Sequence, residues 1–271
     1  MNRLLKIELR KIIHNRIFWF TIGGYIITLL LILLGMRHQI IKFNERLSEG
    51  TDGFIPLLPT EVYSFPHVWH NLAYVASFLM IFLAVVMVIL VTNEFTYNTM
   101  RQNLLDGLSR TELVLSKFID AIMLAFVATL FIFLFGVISG FVTTSNLEFG
   151  DIFSKIPYIG AYFLMVLGFL SFVMMLAFLI KKPALVLGAL LLYNYFLEPI
   201  LTRLVFDESF GNYFPMRSFG LLVEMPDIAI FSMFGAKPMF HGISPLYVGI
   251  SCFYIAAFFG ISYWVVKRRD L

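Results

Sequence analysis

The sequence predicts an all-α polytopic membrane protein with six transmembrane helices, and three observations carry that reading. The chain is 60% hydrophobic and only 14% charged, where a soluble domain is about a quarter charged. Its mean hydropathy is +0.87. Its apolar residues gather in six runs, at about 17–35, 72–91, 118–142, 156–180, 184–206 and 246–266, each near the roughly 20 residues a helix needs to cross the hydrocarbon core. The 271 residues suit one transmembrane domain, 1–271, and leave no room for a sizeable soluble one.

Ahead of the first run, residues 1–16 are basic and amphipathic. Leu5, Leu9, Ile12 and Ile13 gather on one side of a helix, with Arg3, Lys6, Arg10 and His14 on the other, and Ile7 breaking the pattern. That suits a helix lying in the headgroup layer. The run at 17–35 exceeds a typical signal-peptide core and no A-x-A cleavage site follows, so a retained interfacial helix is expected. Six spans put both termini on one side. Thirteen of the 20 Lys and Arg residues fall on that side, in the N-terminal segment, the segment at 93–117, Lys181-Lys182 and the C-terminus, against seven on the other. The richer side is expected to face the cytoplasm. The net charge of +3 is small, and no nucleic-acid partner is expected. Cys252 is the single cysteine; it excludes an internal disulfide and is expected as a small buried apolar residue. The 31 Phe and 12 Tyr suit lipid-facing and interfacial surfaces.

Between the second and third runs lies TNEFTYNTMRQNLLDGLSRTELVLSK, residues 92–117. As a helix it puts Tyr97, Met100, Leu104 and Leu108 on one face. Asp106-Gly107 stops it, because glycine takes the left-handed closing conformation most cheaply. Ser109 with Glu112 three residues later reads as a capping box that starts the next span. A short helix with a small apolar face is thus expected outside the membrane, as a docking element.

Here a resemblance becomes specific. Glu94, Thr99, Arg101, Leu104, Leu105, Gly107, Ser109 to Glu112 and Lys117 resemble the pattern of the permease subunits of type-2 ABC transporters. The Gly-Thr pair usual there is Asn98-Thr99 here. The resemblance implies that 93–117 is a cytoplasmic coupling segment seated in a groove of an ABC ATPase subunit. Glu94, Tyr97, Thr99, Met100, Arg101, Leu104, Leu105, Gly107 and Arg110 are then the coupling residues, with Met100 and Leu104 inserted in the groove and Arg101 and Arg110 at its rim. It also implies a second permease copy as partner, export as the usual direction, short outer helices before the last span, and a bacterial cytoplasmic membrane. ATP and magnesium belong to the partner, since the chain has no G-x-x-x-x-G-K-[ST] with which to build a phosphate loop.

On the opposite side, residues 37–69 contain Pro56, Pro59 and Pro66 and read as an irregular cap. Residues 207–245 are apolar enough to touch the bilayer but cut by Pro215, Gly220, Pro226 and Gly235, which fits either a broken re-entrant helix or a surface hairpin. Charges at membrane depth are the candidates for pathway or gating roles. Asp120 is placed either to pair with Lys117 along the helix or to gate. Glu198, beside the helix-bending Pro199, is placed either to line an exit path or to pair with Arg203. His67 and His70 are spaced i, i+3, with His241 on the same side, but nothing in the sequence makes them converge and no metal site is expected. No G-x-S-x-G and no H-E-x-x-H occurs, and no cluster of nucleophile and base lies at one depth, so an intramembrane enzyme is disfavoured. A gradient-driven transporter remains the alternative, though no half-to-half repeat is evident.

Overall fold

The computed structural model describes residues 16–50, 63–97, 99–105, 107–144, 148–202, 208–226 and 242–268. All regular elements among them are helical. In chain order these are α1 (Arg16–Gly50), α2 (Val68–Ser77), α3 (Met80–Thr96), α4 (Thr99–Leu105), α5 (Arg110–Thr143), α6 (Phe149–Ser154), α7 (Pro157–Ile180), α8 (Pro183–Leu192), α9 (Glu198–Ile200), α10 (Glu208–Gly211), α11 (Pro215–Gly220) and α12 (Pro245–Arg268). Among the described residues five helices are long and apolar enough to cross a membrane, and the bent pair α2–α3 makes a sixth if counted as one span. By the alternation of the long helices, Arg16, α4, the α7–α8 turn and Arg268 lie at one end of the bundle, called proximal below, and α6 lies at the distal end; α11 packs against the middle of α7 at Gly168.

The bundle is built around α7. It packs against α2, α3, α5, α8, α11 and α12, and its side chains are mostly buried. Close approach is bought with small residues, as expected where lipid is as apolar as the core and packing has to supply the attraction. A Cβ on Gly168 would lie 2.5 Å from the Phe219 ring, and one on Gly136 of α5 would lie 2.6 Å from Trp69. Trp69 is held in that niche by stacking on Phe133 and by its indole N–H, which donates to the Ile152 carbonyl at 2.7 Å. Deep in the core the Tyr25 and Tyr162 hydroxyls meet at 3.0 Å, satisfying two polar groups that lipid or apolar side chains would leave stranded.

Three features differ from the sequence-based expectation. The cap expected from residue 37 onward begins as helix, because α1 continues to Gly50. Residues 36–49 contain neither proline nor glycine, so nothing breaks the helix until Gly50. The second span is bent by 52° between Ser77 and Met80. Neither proline nor glycine sits there; the Phe78 and Leu79 N–H groups donate three residues back, to the Val75 and Ala76 carbonyls, and the Ser77 hydroxyl donates to the Tyr74 carbonyl at 2.7 Å. Cys252, expected in the core, is exposed next to the exposed Phe253 on α12. An apolar run reads the same whether its residues face lipid or protein.

Candidate functional site

Two helix ends meet at the proximal end. α3 finishes at Thr96 with Glu94 in its last turn, and α5 starts at Arg110 with Lys117 and Asp120 two to three turns in. The Lys117 ammonium lies 2.7 Å from the Glu94 carboxylate and 3.2 Å from that of Asp120. All three side chains are buried, Asp120 completely. Taking such charges out of water offsets most of their mutual attraction, but removing one partner costs about 3–5 kcal/mol because the others are left uncompensated. Any other register between α3 and α5 would strand a charge. The triad therefore fixes how the two helix ends meet.

Between them the chain makes the short helix α4. Gly107 closes it with φ of +94°, the left-handed position that favours glycine, and its N–H donates to the Leu104 carbonyl at 3.2 Å. Ser109 then caps α5: its Oγ accepts from the Glu112 N–H, and the Glu112 carboxylate accepts from the Ser109 N–H at 2.8 Å. Thr99 Oγ1 makes a long contact of 3.5 Å with the Glu94 carbonyl. The glycine stop and the capping box stand where the sequence placed them.

The apolar face is not presented as a unit. Met100 is 2% exposed and belongs to the chain's own core, and Leu104 is half-buried. Tyr97, which ends α3 and does not lie on α4, is 72% exposed, Leu105 is 79% exposed, and Arg101 is exposed. The available apolar surface is thus Tyr97 with Leu105, while Met100 anchors the segment from beneath. Arg110, expected at a rim, instead donates from Nη1 to the Val266 carbonyl at 3.1 Å and to the Lys267 carbonyl. A cation on the last carbonyls of a helix satisfies groups with no intrahelical partner and meets the negative end of the helix dipole. Sequence reasoning missed this tie and the Glu94–Lys117 pair. The signal for the pair was present, since charges near membrane depth need partners.

The other charge at depth, Glu198, is held by groups on α11 and by the π-helical turn before it. Its carboxylate accepts the backbone N–H groups of Met216 at 3.1 Å and Arg217, with the Tyr193 hydroxyl against it. It therefore holds the start of α11 to the fifth span. Just before it, Tyr193–Leu197 is a π-helical turn, a local widening of the helix that precedes Pro199, whose ring removes a backbone donor. Arg203 and His241 lie outside the described residues. His70 stacks on Tyr158 and bonds the Glu224 carbonyl at 2.7 Å, and His67 Nδ1 lies 3.1 Å from Lys155 Nζ. Both therefore act as ties at the distal end. Among the described residues no three His, Cys, Asp or Glu side chains form a metal-binding group.

A search of curated proteins finds no match. A family model described as ABC-2 family transporter protein matches residues 4–197, from the N-terminal segment through the triad, α4 and the π-helical turn. With well over half of the chain matched, with all-α spans and with a capped helix between the second and third of them, the chain belongs to the ABC-2 family of transporter proteins and is a multi-pass membrane permease.

Proposed function

We propose that this permease pairs with a second copy and rests on two ABC ATPase subunits, with α4 and both termini in the cytoplasm of a bacterial cell. ATP-driven closure of the ATPases pushes on α4, and the push rocks the spans. The observation that carries this reading is the mounting of α4. An exposed apolar turn is fastened through the buried Glu94–Lys117–Asp120 triad to the ends of α3 and α5. A merely solvated loop needs no such mounting. Nucleotide and magnesium belong to the partner, because this chain has no phosphate-binding glycine loop. Cargo moves only because it binds the two conformations with different affinity. The spans offer few charged groups to a hydrophilic solute, which favours export of an amphipathic or lipid-linked cargo.

The test is co-purification. Expressed with its ATPase, the chain is expected to purify as a two-plus-two complex and, alone, neither to bind nor to hydrolyse ATP. Leu105→Asp combined with Tyr97→Asp places carboxylates where apolar surface is to be covered, at a cost of several kcal/mol while they stay charged. The ATPase should then be lost from a permease that is still inserted and folded. Retention of the ATPase at parental levels by that double variant overturns the assignment of α4.

A further inference from the structure

The last span ends on two cations that fold back onto its own aromatic rings. α12 has 24 residues. At 1.5 Å per residue it runs about 36 Å, more than the roughly 30 Å of a hydrocarbon core, so its last turn reaches the headgroup layer at the proximal end. Phe253, Ile261 and Trp264 are exposed along one side of the helix, and Lys267 and Arg268 continue that side past them, both exposed. The Arg268 guanidinium carbon stands 4.4 Å from the centre of the Trp264 ring, and Lys267 Nζ stands 5.9 Å from that of Tyr263. Both distances are within reach of a cation–π attraction.

A guanidinium stacked on a ring keeps its N–H donors in its own plane, where a phosphate can meet them. The Trp264 indole adds a donor of the kind that suits a membrane boundary, apolar on one side and wet on the other. A helix C-terminus carries partial negative charge and by itself repels an anion. Here the Arg110 guanidinium sits on the carbonyls of Val266 and Lys267 and offsets that charge. Neither Lys267 nor Arg268 has a carboxylate partner among the described residues. Glu112, the acidic residue nearest Arg110 in the chain, is taken up in the Ser109 cap. Arg269 and Asp270 lie outside the described residues and carry opposite charges. One helix end thus gathers three cations.

From these features we infer that the proximal end of α12 binds the headgroup of an anionic phospholipid, with Lys267 and Arg268 as its charged contacts and Trp264 beside the glycerol esters. Juxtamembrane cations attract anionic lipid, and the residues concerned continue the exposed apolar side of a span, which an acidic protein surface would not reach. The bound headgroup sits on the turn that Arg110 ties to the start of α5, and so adds an outside hold on that junction. The inference goes beyond the transport reading. It needs only that the chain spans a membrane, and it holds whichever way α4 faces.

The test titrates the purified full chain in detergent with phosphatidylglycerol or phosphatidylcholine and counts bound lipids by native mass spectrometry. The first phosphatidylglycerol should bind more tightly than phosphatidylcholine. Lys267→Gln with Arg268→Gln should weaken it by about thirtyfold, the factor expected for two juxtamembrane cations, and leave phosphatidylcholine unchanged. Arg268→Lys keeps the charge without the planar fork and should show a smaller loss. Lys181→Gln with Lys182→Gln removes the same charge at the α7–α8 turn and should leave the first phosphatidylglycerol unaltered. A second measurement needs no charge variant: in vesicles, brominated phosphatidylglycerol should quench Trp264 fluorescence, read as the difference from Trp264→Phe, more than brominated phosphatidylcholine does. Equal quenching by the two lipids, or an equal loss from the Lys181 and Lys182 pair, shows unlocalised attraction and overturns the site. Displacement of the lipid by inorganic phosphate at matching concentration makes it a site for free phosphate. Loss of the co-expressed ATPase from the Lys267 and Arg268 double variant, with lipid affinity unchanged, makes it a protein contact. Either result also overturns the inference.

Discussion

Lys117 reaches from α5 to within 2.7 Å of Glu94 on α3, so the chain between them, including α4, is a loop with both ends fixed. Lys117→Met should destabilise the protein by about 3–5 kcal/mol, since it leaves two buried carboxylates without their cation. Adding Glu94→Gln and Asp120→Asn should recover much of that loss. Thermal unfolding in detergent checks both; a single variant as stable as the parent sinks the view of the triad as a fixed mount.

Met100 and Leu105 sit on the same seven-residue helix yet should respond in opposite ways. Met100→Ala removes a core side chain and should cost about 2–5 kcal/mol of stability. Leu105→Ala, at an exposed position, should leave stability within about 0.5 kcal/mol while weakening ATPase retention. Melting curves paired with pull-down yields separate the two effects. If Leu105→Ala alters melting and not retention, the exposed and buried faces have been assigned the wrong way round.

Sidedness can be read chemically. Because Cys252 is exposed on α12, Cys252→Ser should be neutral and supplies a clean background. A cysteine at Gln102 should react only with reagents that reach the cytosol, and one at Ser154 should react from outside intact cells. The reverse pattern would place α4 outside and remove the coupling proposal.

Two glycines of α7 make a matched comparison. Gly168→Ala brings a methyl group to 2.5 Å from the Phe219 ring, and such overpacking should cost about 1–3 kcal/mol. Gly160→Ala meets nothing within 4 Å and should be neutral or slightly stabilising. Equal melting temperatures for the two variants would contradict the close approach of α11 to α7.

Much of this was legible in the sequence because the relevant physics is local. The spans announce themselves by length and hydropathy, and the start of α5 by Ser109 and Glu112. The end of α4 is announced by Gly107. What was not legible depends on which neighbour a side chain meets. Nothing in the spacing of Tyr97, Met100 and Leu104 says that Met100 turns inward, because an apolar stripe beside a membrane can serve a partner or its own core. The bend at Ser77 carries no proline or glycine signal, and the tie from Arg110 to α12 joins residues far apart in the chain. The Lys117–Asp120 pair was readable as an i, i+3 contact. Its extension to Glu94 needed the fold.

The bond from Arg110 to the carbonyls of Val266 and Lys267 gives α4 a third point of attachment. α3 and α5 adjoin it through the backbone, and the guanidinium at the start of α5 brings in the last turn of α12. Under the proposed coupling, a push at Leu105 would reach α12 both by this guanidinium and by the packing of α12 on α5, where Phe118 meets Phe259. Arg110→Gln should accordingly loosen the last turn of α12 from the start of α5 while leaving the packing of the spans in place.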